Sequence, residues 1–130
     1  MFTYLYIALG GAIGSVARHW LSETVSTRVD SSFPWGTFLV NVSGCVLIGF
    51  FGSLAGPGGR SFGSTEARAF FMVGICGGYT TFSAFSLQTL NLLRIGDWPR
   101  AGAYAVSSVL VCLLGVWLGH LLAAAFAPAQ

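Results

Sequence analysis

Charged side chains divide this sequence into four long stretches that contain none, at residues 2–17, 31–59, 69–93 and 101–130. A helix needs about 20 apolar residues to cross the roughly 30 Å hydrocarbon layer of a bilayer. The last three stretches exceed that length. The first becomes a full span once Arg18 is admitted near its end, where a long side chain can snorkel to the interface or face the protein interior. The pattern predicts four membrane helices, over about 3–25, 35–55, 67–94 and 101–125. Between them lie short connections rich in turn formers: residues 26–34 ending in Pro34, G-P-G-G-R-S-F-G-S-T at 56–65, and the tight turn Gly96, Asp97, Trp98, Pro99. Little chain is left over, so residues 1–130 are expected to form a single four-helix transmembrane domain, the whole being an all-α, multi-pass integral membrane protein.

The third stretch departs from a plain anchor. Residues 77–86 read G-G-Y-T-T-F-S-A-F-S, a glycine pair and adjacent threonines followed by serines alternating with phenylalanines. A lipid-facing helix needs none of these. Backbone interrupted at membrane depth is tolerated only where it is buried in protein or lines a cavity, and there it tends to bind ions. The third helix is therefore expected to break mid-membrane at residues 77–81. Carbonyls freed by the break lose their helical partners, and leaving each unpaired costs several kcal/mol. A protein segment, a water or a cation the size of Na⁺ would satisfy them, and a site near a two-fold axis would collect carbonyls from two copies of the chain.

Composition agrees with the pattern: 55% of residues are hydrophobic and 8% charged, against about 25% charged in an average soluble domain. The net charge of +2 comes from six Arg and no Lys against four acids, with no basic cluster of the kind that grips nucleic acid. Cys45, Cys76 and Cys112 each fall inside a predicted helix without C-x-x-C spacing, and read as small packing residues rather than a disulfide framework or a metal site. The N-terminus lacks the basic region of a signal peptide, so the first helix is expected to be retained. Arg18, Arg28, Arg94 and Arg100 fall toward one side of the membrane and Arg60 and Arg68 toward the other. Orientation follows such counts, and a bias this small leaves insertion in both orientations open. Small residues at helical spacing, Gly10 with Gly14 and Ser108 with Cys112, Gly115 and Gly119, mark faces where helices pack closely.

The acids Glu23, Asp30, Glu66 and Asp97 all fall at helix ends or in connections, whereas a proton-coupled exporter needs a carboxylate at membrane depth. No nucleophile–base pair is visible, and no enzyme is expected. What lies inside the spans is neutral and polar, including Asn41, Thr80, Thr81, Ser83, Ser86, Gln88, Ser107 and Ser108. Phe82 and Phe85 share a helix face just beyond the break. A phenyl edge carries partial positive charge, so ring edges, an amide N–H and hydroxyls together would coordinate an anion weakly enough to release it, as conduction requires.

Three motifs in order, G-G-A-I-G-S-V-A-R at residues 10–18, W-G-T-F-L-V-N-V-S-G at 35–44 and G-G-Y-T-T-F-S-A-F-S at 77–86, resemble those of the CrcB/Fluc fluoride channels, and the resemblance covers essentially the whole chain. It implies a passive fluoride-selective channel that exports cytoplasmic fluoride, built as an antiparallel homodimer of dual-topology subunits in a bacterial inner membrane. Two pores and a central structural sodium ion go with that assembly. The resemblance would make Phe82 and Phe85 the pore phenylalanines, Asn41 the pore amide and Ser108 a pore hydroxyl. Thr81 and Gln88 would form a polar track with Phe85 between them, although many members carry Glu at the position of Gln88. Arg18 would line an aqueous vestibule, and Gly77 and Thr80 would offer carbonyls to the sodium. The partners implied are fluoride, membrane lipid and a second copy of the chain, with no other protein and no nucleic acid. Two other readings stand beside it: a small dual-topology, proton-coupled exporter of organic cations, and a non-transporting membrane scaffold.

Overall fold

A computed structural model describes residues 2–29, 32–55 and 63–126. Asp30, Arg60 and residues 56–62 of the glycine-rich connection lie outside them. The described residues form helices and no strands: α1 (Phe2–Ser26), α2 (Trp35–Leu54), α3 (Thr65–Arg68), a π-helical segment (Ala69–Cys76), α4 (Gly77–Tyr79), α5 (Phe82–Arg94) and α6 (Trp98–Phe126). From α3 to α5 the chain follows one path of 30 residues, Thr65–Arg94.

Three paths are long and apolar enough to cross a membrane: Trp35–Leu54, Thr65–Arg94 and Trp98–Phe126. Helix α1 has the length, at 25 residues, but carries Arg18, His19 and Glu23. Leu113, Leu114, Trp117 and Val109 on α6 stand exposed, as do Leu5, Leu9, Ile13 and Val16 on α1. Apolar surface of this extent suits lipid far better than water.

The helices pair in parallel through glycine. A Cβ on Gly10 would strike the Phe70 carbonyl, and one on Gly14 the Ile75 carbonyl and the Tyr79 amide. One turn along α1 thus matches one turn along the third path in the same direction. Likewise Gly115 faces the Val42 carbonyl at 3.2 Å while Gly119 abuts the Val46 carbonyl, so α6 runs parallel to α2. Consecutive helices run antiparallel: Gly36 opens α2 against Ser22 near the end of α1, and Gln88 on α5 bonds Tyr104 across the turn to α6. Up-down-up-down winding follows.

Some local features differ from the sequence expectation. Residues 69–76 wind as π-helix, with Gly74 seated on Gly10; the apolar pattern carries no mark of this, because π turns are set by how a helix seats against its neighbours. The fourth helix starts at Trp98 rather than near residue 101. Asp97 caps it through its side chain to the Arg100 amide at 3.2 Å and its carbonyl to the Ala101 amide at 3.0 Å. Pro99 therefore sits in the first turn, where its missing N–H costs nothing.

Candidate functional site

The interruption is narrower than the expected 77–81: Gly77–Tyr79 remain helical and the Thr80 amide still donates to the Cys76 carbonyl at 3.0 Å, so that only Thr80 and Thr81 have extended backbone (φ −79°, ψ 156° and φ −150°, ψ 114°). Thr81 starts the chain anew: its hydroxyl accepts from the Ala84 amide at 3.2 Å and caps α5. The polar groups left over are met from α2. Asn41 Nδ2 donates to the Thr81 carbonyl at 3.0 Å, and the Thr81 amide donates to Asn41 Oδ1 at 2.8 Å. The side-chain amide thus pairs with the main chain as a neighbouring strand would, and its second Nδ2 hydrogen is left for a further acceptor.

Packing holds the interruption on both sides. Gly44, one turn past Asn41, is filled by the Thr80 methyl. Ser43 Oγ meets Tyr79 Oη at 2.8 Å. From α1, Gly11 presses its backbone on Gly78, and Ser15 Oγ donates to the Gly78 carbonyl at 3.4 Å.

Two cavities meet here. One, of about 420 Å³, is mostly apolar and is lined by Asn41, Thr80, Thr81, Phe82, Phe85 and Ser108 among others. The second, of about 470 Å³, is more polar and is lined by Arg18, Ser22, Thr37, Ser83 and Gln88, with Thr81 again in its wall. Thr81 is the polar side chain common to both. Of the residues to which the family resemblance gives a role, only Gly77 lines neither.

In the apolar cavity the Phe82 and Phe85 rings are 5.3 Å apart, tilted by 46°. Phe82 is 76% exposed, whereas Phe85 packs into the buried cluster of Leu92, Ala101 and Tyr104. Ser108 is 7% exposed, and its Oγ has no hydrogen-bond partner among the described residues. A buried hydroxyl left unpaired costs about 1–3 kcal/mol. Thr81 and Gln88 share the polar cavity, but Phe85, between them in sequence, turns to the other one.

Tyr104 was not singled out by the sequence reading, and it is fully buried. Its Oη donates to Gln88 Oε1 at 2.9 Å and its ring lies 5.2 Å from that of Phe85. It joins the two cavities' walls. The available signal was the four-residue step from Tyr104 to Ser108 to Cys112 along one face of α6.

Near the interruption, main-chain oxygens lose helical donors. The Thr81 amide, which would close the bond to the Gly77 carbonyl, is turned to Asn41, and the Ala84 amide, four residues past Thr80, is turned to Thr81 Oγ1. Gly77 is exposed, and a Cβ on it would meet only the Met72 carbonyl at 4.0 Å. Carbonyl oxygens turned away from their helical donors are hard ligands of the kind that a sodium-type cation would take. Among the described residues no group of three His, Cys, Asp or Glu side chains is placed to hold a metal.

Helices of this length and apolarity around paired cavities define a multi-pass helical membrane protein. The model of the family described as "CrcB-like protein, Camphor Resistance (CrcB)" matches residues 5–120, and the chain belongs to that family. It is 57% identical over 123 residues to a protein of Opitutus terrae named "Fluoride-specific ion channel FluC", covering 95% of this chain and 93% of the relative. A protein of the same name from Rhodospirillum rubrum is 56% identical over 118 residues, covering 91% and 92%. "Fluoride-specific ion channel FluC 1" of Bradyrhizobium diazoefficiens is 42% identical over 123 residues, covering 95% and 85%.

Proposed function

We propose that this chain is a passive, fluoride-selective ion channel of the bacterial inner membrane. The observation that carries the reading is the buried Ser108 hydroxyl, unpartnered among the described residues, in a cavity whose walls include Asn41, Phe82 and Phe85. A small anion there would take the hydroxyl proton, the second Asn41 N–H and the positive ring edges together. Each is a neutral donor, so the ion is held without being trapped. The relatives' names point to the same ion.

Arg18, in the polar cavity with Thr81 and Gln88, draws anions toward the path by its charge. Thr81 then stands where the polar cavity gives way to the apolar one, and Tyr104 holds Gln88 in that wall. Helix α1 serves as the fourth span, since it runs parallel to the third path and antiparallel to α2. That brings the interruption at Thr80 and Thr81 to mid-membrane depth.

The assembly in this reading is an antiparallel homodimer of dual-topology subunits with two pores. Phe82, exposed on a single chain, and Gly77, open on its outer side, suit a second copy as cover. Gly77 and Thr80 carbonyls from both copies would hold one structural sodium, which supplies positive charge where the freed carbonyls converge. Hydrogen fluoride crosses lipid uncharged and ionises in a near-neutral cytoplasm, trapping fluoride. An open path then drains it, aided by a negative-inside potential worth about 2.3 kcal/mol per charge per 100 mV.

The test is efflux from liposomes holding the purified protein, followed with fluoride and chloride electrodes. Rapid valinomycin-dependent fluoride efflux with little chloride efflux is expected; no fluoride efflux from folded dimers would overturn the reading.

A further inference from the structure

The apolar cavity's wall also holds two thiols that the proposed conduction does not use. Cys45 on α2 and Cys112 on α6 both line it. The two helices meet closely at this level: a Cβ on Gly115, just beyond Cys112, would lie 3.5 Å from Cys45 Cβ. Both thiols are free and half-buried. The third cysteine, Cys76, is buried on the π segment and is not part of this wall.

We propose that Cys45 and Cys112 form a two-coordinate site for a single thiophilic cation, and that its occupant obstructs the cavity beside Ser108. Thiolates select soft metals over hard ones, and a facing pair from two packed helices suits the linear coordination of mercury(II) or copper(I). Tetrahedral zinc would want four ligands, which the wall does not supply from side chains of the usual kind. For mercury(II) two S–H bonds break, two Hg–S bonds form and two protons leave to solvent, with no change of oxidation state. The product is neutral, so the apolar wall imposes no charge-burial cost. Ser108 precedes Cys112 by four residues and shares its face, so the metal stands next to the hydroxyl proposed to meet fluoride. The obstructing role rests on the channel reading; the binding site does not.

Mercuric chloride is the probe, with full-length Cys76→Ala protein (Cys76→Ser if the alanine variant does not fold) and excess glutathione as competing monothiol. Bound metal is measured by intact mass after gel filtration. One mercury per chain is expected, held about a hundredfold more tightly than by added Cys45→Ser or Cys112→Ser variants, the gain typical of an intramolecular second ligand. Equal retention by the single-thiol variants would overturn the site. In proteoliposomes, mercury is expected to stop fluoride efflux in the paired protein and to spare it in Cys45→Ser. Bound mercury with undiminished efflux would overturn the obstruction. Absence of efflux before mercury is added would count against the channel reading alone, since the binding titration uses no flux.

Discussion

Asn41 and the main chain of Thr81, 40 residues apart in sequence, exchange two hydrogen bonds of 2.8 and 3.0 Å. This one side chain does for the interrupted third path what a helical turn would otherwise do. Its position couples the backbone geometry to the anion path, because Asn41 and Thr81 both line the apolar cavity.

An Asn41→Asp substitution separates these roles. The carboxylate still accepts from the Thr81 amide but loses both Nδ2 donors and places negative charge beside the path. We expect a destabilisation of about 1–3 kcal/mol from the unpaired Thr81 carbonyl, with a folded protein and fluoride efflux lowered by more than about a hundredfold, the effect of roughly 3 kcal/mol on a barrier. Thermal unfolding in detergent and liposome efflux measure the two effects; efflux near wild type would refute the pore role.

Phe82 and Phe85 should part company. Phe82→Ile alters a side chain that is exposed on the single chain, so the subunit's own fold is expected to lose no more than about 0.5 kcal/mol while fluoride efflux is lost. Phe85→Ile removes ring contact with Tyr104 and should cost about 1–3 kcal/mol as well. A scaffold would tolerate Phe82→Ile without functional change, and unchanged efflux would favour it.

Two glycines three residues apart on α1 predict opposite signs. Gly14→Ala drives a methyl into the Ile75 carbonyl and the Tyr79 amide, an overpacking expected to cost about 1–3 kcal/mol. At Gly11 a Cβ meets nothing within 4 Å, so Gly11→Ala is expected to gain up to about 1 kcal/mol of helix propensity. Melting temperatures of the purified variants test this, and equal losses at both positions would show that a surface outside the single chain covers Gly11.

Arg18→Gln should lower fluoride efflux several-fold at low ionic strength and much less at high salt, since charges farther apart than the Debye length of about 10 Å at 0.1 M are largely screened. A loss independent of salt would make Arg18 a structural residue instead.

Charge-free length is a local property, and it was enough to mark three membrane-capable paths, because bilayer insertion sums over neighbouring residues. The G-G-Y-T-T-F-S-A-F-S motif likewise drew attention to the segment where helical bonding is interrupted, since glycine and hydroxyl side chains weaken a helix interior and hydroxyls favour a new start. The order of motifs was enough for the family. Other features depended on how helices turn and seat against one another. Period alone does not say which face of α6 meets α5, so Tyr104 went unnoticed beside Ser108. Nor could spacing place Gln88 on one cavity, Phe85 on the other and Thr81 on both, or show that Asn41 spends its amide on a backbone 40 residues away. The parallel pairing of α1 with the third path and α2 with α6, and the π winding of Ala69–Cys76, arise where glycine backbones touch. Those contacts join residues far apart in sequence, and only the folded arrangement decides which of many equivalent small-residue faces meet.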